Sequence, residues 1–360
     1  MQGPFASAFV TGGTGLLGNN LVRLLAARGT RVTALVRSPD KARTLLGDLV
    51  QDGRVAVVAG DLADTAFAPA LAAHDVLFHT AAYFRDGYKG GSHRQALLDT
   101  NVEGTRALLE AAREAGIRRV VHTSSIAVLD GPPDVEVDET MSRREADADD
   151  YYLSKILSER EVARFLDAQP EMWAAFVLPG WMHGPGDAGP TSAGQTVLDF
   201  ARRRVPGVPP GSFSVVDARD VAAAMVAVAE RGRRGERYLA AGRHMTMAEL
   251  FPLLERATGA PAPTRRLPLP LLWALALAGE AGARLLGRPA LLSLPTVRLL
   301  RREAGRTRFS ARRFEGELGL RFRPLAETLA DEVAWYRGHG WLPRLPQPAP
   351  GAFPAGQRAA

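Results

Sequence analysis

The stretch Thr11-Gly12-Gly13-Thr14-Gly15-Leu16-Leu17-Gly18 constrains this chain more than any other. It follows a β-rich apolar run, Ala6–Val10, and opens an amphipathic helical pattern, Leu16–Arg28, that stops at Gly29. A glycine pattern alone is a weak signal. At a strand-to-helix turn it specifies a βαβ unit with an anion at the turn. Gly12 permits the tight turn, Gly15 lets backbone approach a pyrophosphate, and Gly18 lets the helix pack closely on the strand. The free N–H groups at the helix start face the anion, which puts Thr14, Leu16 and Leu17 in the same loop.

Further β-rich runs follow at Arg31–Arg37, Val55–Ala59, Val76–Ala81, Arg119–Thr123 and Trp173–Leu178, with helical patterns between most of them, notably Gln95–Ala115. This alternation predicts an α/β fold, a doubly wound parallel sheet with helices on both faces. After Pro179 the pattern changes. Pro179–Pro210 is rich in Gly and Pro and reads as loops around one helix near Gln195–Arg204. Ala218–Ala229, Leu269–Leu286 and Arg323–His339 read as helices, and Arg237–Ala241 as a strand returning to the sheet. Thr246-Met-Ala-Glu249 has the form of a capping box ahead of a Leu250–Thr258 helix. The expected division is a Rossmann domain over 1–180 and a smaller, mostly helical substrate lobe over 181–342. Segments around 213–242 should return to the first domain, and a Pro/Ala/Gly-rich tail, 343–360, should be disordered.

Composition removes several chemistries. The chain has no cysteine, hence no disulfide, thiolate nucleophile or cysteine–metal site. Its seven histidines show no ligand spacing, so no metal is expected. The net charge of +6 comes from arginines spread along the chain rather than clustered with aromatics, which argues against a nucleic-acid partner. The N-terminus lacks a signal-peptide pattern. The apolar stretch Leu267–Gly279 is too short to span a bilayer before Glu280 and Arg284. These features fit a cytoplasmic protein.

The second β-run ends Ala34-Leu35-Val36-Arg37-Ser38. A carboxylate at that tip would hold the adenosine ribose of NAD and repel a 2′-phosphate, whereas an arginine pairs with the phosphate. NADP(H) is therefore favoured and NAD(H) remains compatible, with Ser38 or Lys41 as further contacts. Asp61-Leu62 could offer an acceptor near the adenine amino group, and Asp61 would serve equally as a turn residue.

Only three lysines occur in the chain, and one stands in Ala148-Asp-Asp-Tyr151-Tyr152-Leu-Ser-Lys155. A tyrosine, ordinarily titrating near pH 10, needs a nearby positive charge to exchange protons near neutrality. On a helix Lys155 reaches Tyr151 at i,i+4 and Tyr152 at i,i+3. Spacing alone does not choose between them.

Together, the glycine turn, Asp61-Leu62, Ala81-Ala82, Asn101-Val-Glu-Gly104-Thr105, Thr123-Ser124-Ser125 and Tyr151-x-x-x-Lys155 resemble the extended short-chain dehydrogenase/reductases over about residues 5–342. The chain looks most similar to the dihydroflavonol-reductase and 3β-hydroxysteroid-dehydrogenase-like branch, an assignment to which Val177–Asp187 and the C-terminal helical lobe add. The resemblance implies that Tyr151 is the acid/base. Lys155 would lower its pKa and hold the nicotinamide ribose. Ser125, beside Ser124, would hold the substrate oxygen, and Asn101 would be structural or part of a water relay. Ala81, Ala82 and Pro179 would join the cofactor contacts. The implied reaction passes a hydride between nicotinamide and a ketone or secondary alcohol.

The rival reading is an NDP-sugar epimerase with tightly bound NAD. A sugar dehydratase fits less well, since Ile126-Ala127 rather than Asp-Glu follows Ser125. A non-catalytic dinucleotide sensor has no need of Ser125, Tyr151 and Lys155. Expected pocket residues are Tyr83, Phe84 and Arg85, then Trp181 and Met182, then the apolar Leu269–Leu277 segment. They suggest a small apolar or aromatic substrate. The same apolar segment could instead form a homodimer face or meet a membrane surface.

Overall fold

A computed structural model of the chain describes residues 5–84, 93–286 and 294–343. Arg85 and all but the first residue of the expected tail lie outside the described residues.

The first half alternates strands and helices. They are β1 (Ser7–Thr11), α1 (Leu16–Ala27), β2 (Arg31–Val36), α2 (Pro39–Gln51), β3 (Val55–Ala59), β4 (Val76–His79), α3 (Arg94–Leu98), α4 (Gly104–Glu114), β5 (Arg119–Thr123), α5 (Asp150–Ala168) and β6 (Trp173–Pro179). Then come β7 (Trp181–His183), α6 (Ser192–Ala201), β8 (Ser212–Asp217), α7 (Ala218–Arg231), β9 (Arg237–Ala240), β10 (Arg243–Thr246) and α8 (Met247–Thr258). The last helices are α9 (Leu269–Leu286), α10 (Leu294–Arg302) and α11 (Leu325–Gly338).

Seven strands form one parallel sheet in the order β3-β2-β1-β4-β5-β6-β9. It is covered on both faces, as all-parallel sheets require. The period-two alternation of β1 divides the core. Ala8 and Val10 pack with Leu21 and Leu25 of α1, Leu46 of α2 and Val221 of α7. Phe9 packs on the opposite side with Leu108 and Leu109 of α4 and Val162 of α5. From β3 at the sheet edge the chain crosses back to place β4 beside β1. That switch point opens a crevice at the C-terminal strand ends, where ligands bind in such sheets.

The second half departs from the sequence expectation. The stretch Pro179–Pro210 contains a strand as well as a helix. β7 pairs parallel with β8, and β10 pairs antiparallel with β8, making a second, three-stranded sheet. The chain leaves the main sheet for the small one at Gly180, where a Cβ would lie 2.2 Å from the Ala241 carbonyl oxygen. β7 is too short, and Ser-Phe-Ser-Val-Val-Asp of β8 too irregular, to stand out in the sequence. β9 joins β6 as expected.

Several expected elements change their limits, the helix expected near Gln195–Arg204 among them, which runs Ser192–Ala201. The strand expected over Val76–Ala81 ends at His79. The helix expected over Gln95–Ala115 is broken by a wider turn at Asp99–Glu103. The last helix begins at Leu325, after Pro324. The capping box is present, with the Thr246 N–H donating to Glu249 Oε2 and the Glu249 N–H to Thr246 Oγ1.

α6, α8 and α11 share a separate core around Leu198, Leu254 and Leu329. α9 packs on α10 through Leu272, Ala276 and Val297 and leaves Leu271 and Leu277 exposed. Among the described residues no helix is long and apolar enough to cross a membrane.

Candidate active site

The glycine turn is rigidly specified. Gly12 has φ +70°, and a Cβ there would lie 2.8 Å from the Ala81 backbone. A Cβ on Gly18 would lie 2.2 Å from the Gly12 carbonyl oxygen, so the glycine lets α1 meet the turn at backbone distance. Thr80 Oγ1 donates to the Thr11 carbonyl and the Ala81 N–H to Thr11 Oγ1, which fixes the exit of β4 against the turn.

These two strand ends enclose a cleft. Gly12, Thr14 and Gly15 form one wall, with Ala81 and Ala82 beside them. Arg37, Lys41, Asp61 and Leu62 line it further out. A dinucleotide fits such a cradle, because side chains are excluded where its pyrophosphate would approach backbone. Leu16 and Leu17 are buried in the first turn of α1, and Pro179 is buried at the end of β6, where it pairs with Ala240. Sequence reasoning missed Leu35, Val36, Gly60, Thr80 and Thr100 as lining residues. All but Thr100 lie at strand ends already under suspicion, Thr100 lies in the wide turn Asp99–Glu103, and no chemical signature marks any of them.

Arg37 is exposed at the tip of β2 and makes no ion pair with the described residues. Ser38, a further candidate contact, caps α2 by accepting from the Lys41 N–H at 3.3 Å. Asp61 lines the cleft and is also a turn residue, since its Oδ1 accepts from the Ala63 N–H at 3.1 Å. The two readings of Asp61 are thus compatible.

At the other end of the crevice, Asp149 caps α5 by accepting from the Tyr152 N–H at 2.8 Å. The cap places Tyr151 in the first turn, and Lys155 one turn later. Ser125 lies beside the Tyr151 hydroxyl and caps the short turn 126–128 by accepting from the Ala127 N–H. Lys155 Nζ donates to the Thr123 carbonyl at 2.9 Å. Ser125, Tyr151 and Lys155 therefore converge on the end of β5. Asn101 accepts from the Tyr83 N–H at 2.7 Å and donates to Ser154 Oγ at 3.0 Å, tying the loop after β4 to α5. Phe84 meets the Tyr151 ring edge-on at 4.8 Å.

The electrostatics differ from the expectation at one point. The Tyr151 hydroxyl is pushed up from its ordinary range, not down. Burial is the main cause and the Asp149 carboxylate adds to it, while Ser125 offsets part. Lys155 is lowered to about 8 by burial, against the opposing pull of Glu159. Behind it, Glu159 is held by Arg237 at 2.6 and 3.0 Å.

A second cavity lies beside this trio, about 500 Å³ counting the part open to solvent. Ile126 and Tyr152, the chain neighbours of Ser125 and Tyr151, form part of its wall. Trp181, Phe213, Leu300 and Phe309 line it, with Ser212, Ser214, Thr307 and Glu303. Of the expected pocket residues, Trp181 is in this wall. Met182 instead packs against the main core, and the Leu269–Leu277 segment packs on α10, from which Leu300 reaches the pocket. Glu303 had a visible signal, as the single acid among Arg298, Arg301, Arg302, Arg306 and Arg308. Among the described residues no group of three or more His, Asp or Glu side chains could hold a metal ion.

A model of the NAD dependent epimerase/dehydratase family matches residues 8–241. The chain is 38% identical over 343 residues to the sterol demethylase protein B of Methylococcus capsulatus, covering 93% of this chain and all of that one. It is 34% identical over 340 residues to a Synechocystis protein named for dihydroflavonol 4-reductase, covering 93% and 95%. The crystal structure of gox2253 superposes with a TM-score of 0.78 at 33% identity, over 94% of this chain and 99% of that one.

Proposed function

The chain belongs to the NAD dependent epimerase/dehydratase family, and from that premise we propose that it reduces a ketone, or oxidises the matching secondary alcohol, with an exchangeable nicotinamide cofactor. The observation that carries this reading is the convergence of Ser125, Tyr151 and Lys155 at the end of β5, with the chain neighbours Ile126 and Tyr152 lining a largely apolar pocket. A nucleotide sugar would need cationic partners for its diphosphate, and none of the residues lining this pocket is cationic. The names of the two relatives, a sterol demethylase protein and a dihydroflavonol 4-reductase, point to multi-ring substrates as well.

In this reading the cleft holds the dinucleotide, with Gly12, Thr14, Gly15, Leu16, Leu17 and Gly18 at the pyrophosphate. Asp61, Leu62, Ala81, Ala82 and Pro179 make further contacts. Arg37 pairs with a 2′-phosphate, so NADP(H) is favoured over NAD(H). When bound, the nicotinamide supplies or accepts the hydride. Ser125 holds the substrate oxygen. Tyr151 gives that oxygen a proton in reduction and takes it back in oxidation. Lys155 keeps a positive charge within reach of the developing phenolate. Burial has raised Tyr151, so the phenol is protonated at neutral pH and ready to act as the acid. The unit is arranged as a Rossmann domain to about residue 180 and a substrate lobe beyond it, with α7 and β9 belonging to the former.

Two measurements test this. The purified protein is denatured and any released dinucleotide identified; the undenatured protein is titrated with NADP(H) and NAD(H) while its melting temperature is followed. Little released cofactor, stabilisation mainly by NADP(H), and turnover of aryl or alicyclic ketones support the reductase. NAD released only on denaturation, with epimerisation of an NDP-sugar and no net redox change, replaces it with the epimerase.

A further inference from the structure

The pocket contains one carboxylate in a largely apolar wall, and its surroundings are built rather than incidental. Ser212 Oγ and Thr307 Oγ1 bond each other at 2.6 Å, and Ser214 Oγ donates to the Thr307 carbonyl at 3.1 Å. These hydroxyls satisfy one another and zip the 300–309 segment to β8. Glu303 is different. Both of its oxygens face a single donor nitrogen: Oε2 accepts from Arg143 Nη2 at 3.2 Å, and the buried Oε1 lies 3.1 Å from the same nitrogen with no other partner. A carboxylate has about four acceptor sites, and one arginine nitrogen shared between its two oxygens leaves room for a ligand donor.

Arg143 fixes where this carboxylate points. Its side chain is 2% exposed. Its Nε donates to the Ala127 carbonyl at 2.9 Å and its guanidinium lies over the Tyr152 ring at 4.8 Å. Asp130, which does not line the pocket, lies 3.7 Å from Arg143 and 3.1 Å from Arg306. Asp130 thus serves the two arginines, and Glu303 is the acid at the pocket wall. Burial raises the Glu303 carboxyl from its ordinary range, and Arg143 offsets part of that rise.

We propose that Glu303 recognises the substrate. It accepts a hydrogen bond from a hydroxyl or amine remote from the reacting oxygen, so the substrate is a mainly apolar ketone or secondary alcohol with a second hydrogen-bond donor. The proposal rests on the oxidoreductase reading above. It adds a requirement that an apolar pocket alone does not make. A site built to hydrogen-bond a substrate donor rejects the analogue lacking it far more strongly than it rejects a change of one methylene.

The test compares two ketones that differ by one donor, 4-phenylbutan-2-one and 4-(4-hydroxyphenyl)butan-2-one, with the full-length enzyme and NADPH or NADH. The wild type is expected to favour the hydroxylated ketone by tenfold or more in kcat/KM, mostly through KM, and calorimetry should show the same ratio in dissociation constants. Glu303→Leu should reduce the ratio to about twofold or less, and Glu303→Gln, which retains an acceptor, should keep part of it. Turnover of both ketones by the wild type with equal kcat/KM overturns the role of Glu303 and leaves the reductase intact. Neither turnover nor binding of either ketone overturns the oxidoreductase reading and this proposal together. If Glu303→Leu does not fold, the wild-type ratio alone decides.

Discussion

In the dinucleotide cleft the walls that matter are backbone: the Gly12 turn at φ +70°, the Gly12 carbonyl against Gly18, and the Ala81 chain against Gly12. In the substrate pocket they are side chains from five separate segments, at residues 126, 152, 181, 212–214 and 300–309. The cleft occupies the switch point of a sheet whose geometry the whole first half maintains. The pocket occupies the seam between that sheet and a lobe with its own small sheet and core. A backbone site tolerates almost no change at its few glycines. A side-chain site can be rebuilt one residue at a time, so the two regions should respond to mutation in different currencies: the cleft in cofactor affinity, the pocket in substrate choice.

The strongest break of the comparison lies where the two regions meet. Tyr151→Phe removes the proton donor and keeps the ring that meets Phe84. Turnover should fall by about 10³-fold while cofactor binding, followed by thermal shift, stays within a few-fold. Tyr152→Phe should change turnover only a few-fold, since Tyr152 lies in the pocket wall. Comparable turnover in Tyr151→Phe and the wild type would remove Tyr151 from the chemistry.

Next comes the cleft alone. Gly12→Ala puts a Cβ 2.8 Å from Ala81 at a φ that L-residues rarely adopt. The strain is on the order of 1–3 kcal/mol and falls on the pyrophosphate turn. Dinucleotide affinity should drop by about tenfold to a hundredfold, while the ratio of kcat/KM between two ketones at saturating cofactor should not move. A change in that ratio would mean the two regions are coupled.

What could be read from the sequence follows the same division. A backbone site announces itself, because glycine spacing and a strand-to-helix turn are local, and the whole Thr11–Gly18 loop could be placed in advance. The Ser125, Tyr151 and Lys155 convergence was legible only because the family motifs supply the pairing across 26 residues; spacing left Tyr151 and Tyr152 equal. The pocket was read poorly. Trp181 was found, but Phe213 and Phe309 join it only through β8 and the zipped 300–309 segment, and no period in the chain relates those positions. The apolar Leu269–Leu277 run looked like a pocket wall and instead packs on α10. The raised pKa of Tyr151 was also out of reach, because burial is a property of the assembled fold.

A pH series sharpens the comparison at the shared residue Lys155. Burial lowers its ammonium to about 8. If its charge supports proton transfer at Tyr151, ketone reduction at saturating cofactor should fall above pH 8, by about tenfold near pH 9. The sign for stability is opposite. Between about 8 and the ordinary lysine value of 10.5, the unfolded chain holds a proton that the folded chain has lost. In that window stability rises with pH on this account. A falling rate with an unchanged or rising melting temperature therefore assigns the loss to the site. A rate that stays flat to pH 10 would separate Lys155 from the proton transfer.

The smallest effect belongs to the outer end of the cleft, and its size is itself informative. Arg37 is exposed at the tip of β2, so its attraction for a 2′-phosphate is screened by solvent. An exposed ion pair contributes roughly 0.2–1 kcal/mol, so Arg37→Ser should weaken NADPH by no more than about fivefold and leave NADH nearly unchanged. Raising the ionic strength should shrink the wild-type preference for NADPH and leave the Arg37→Ser variant less affected, because only the wild type has that charge to screen. Lys41 lines the same end of the cleft, and the Arg37→Ser/Lys41→Ala double variant should remove what preference remains. Had the 2′-phosphate been gripped by buried groups, the loss would be larger and nearly independent of salt. Equal weakening of NADPH and NADH by Arg37→Ser would mean that Arg37 acts on the shared part of the dinucleotide, and the choice between the two cofactors would then have to be made elsewhere in the cleft.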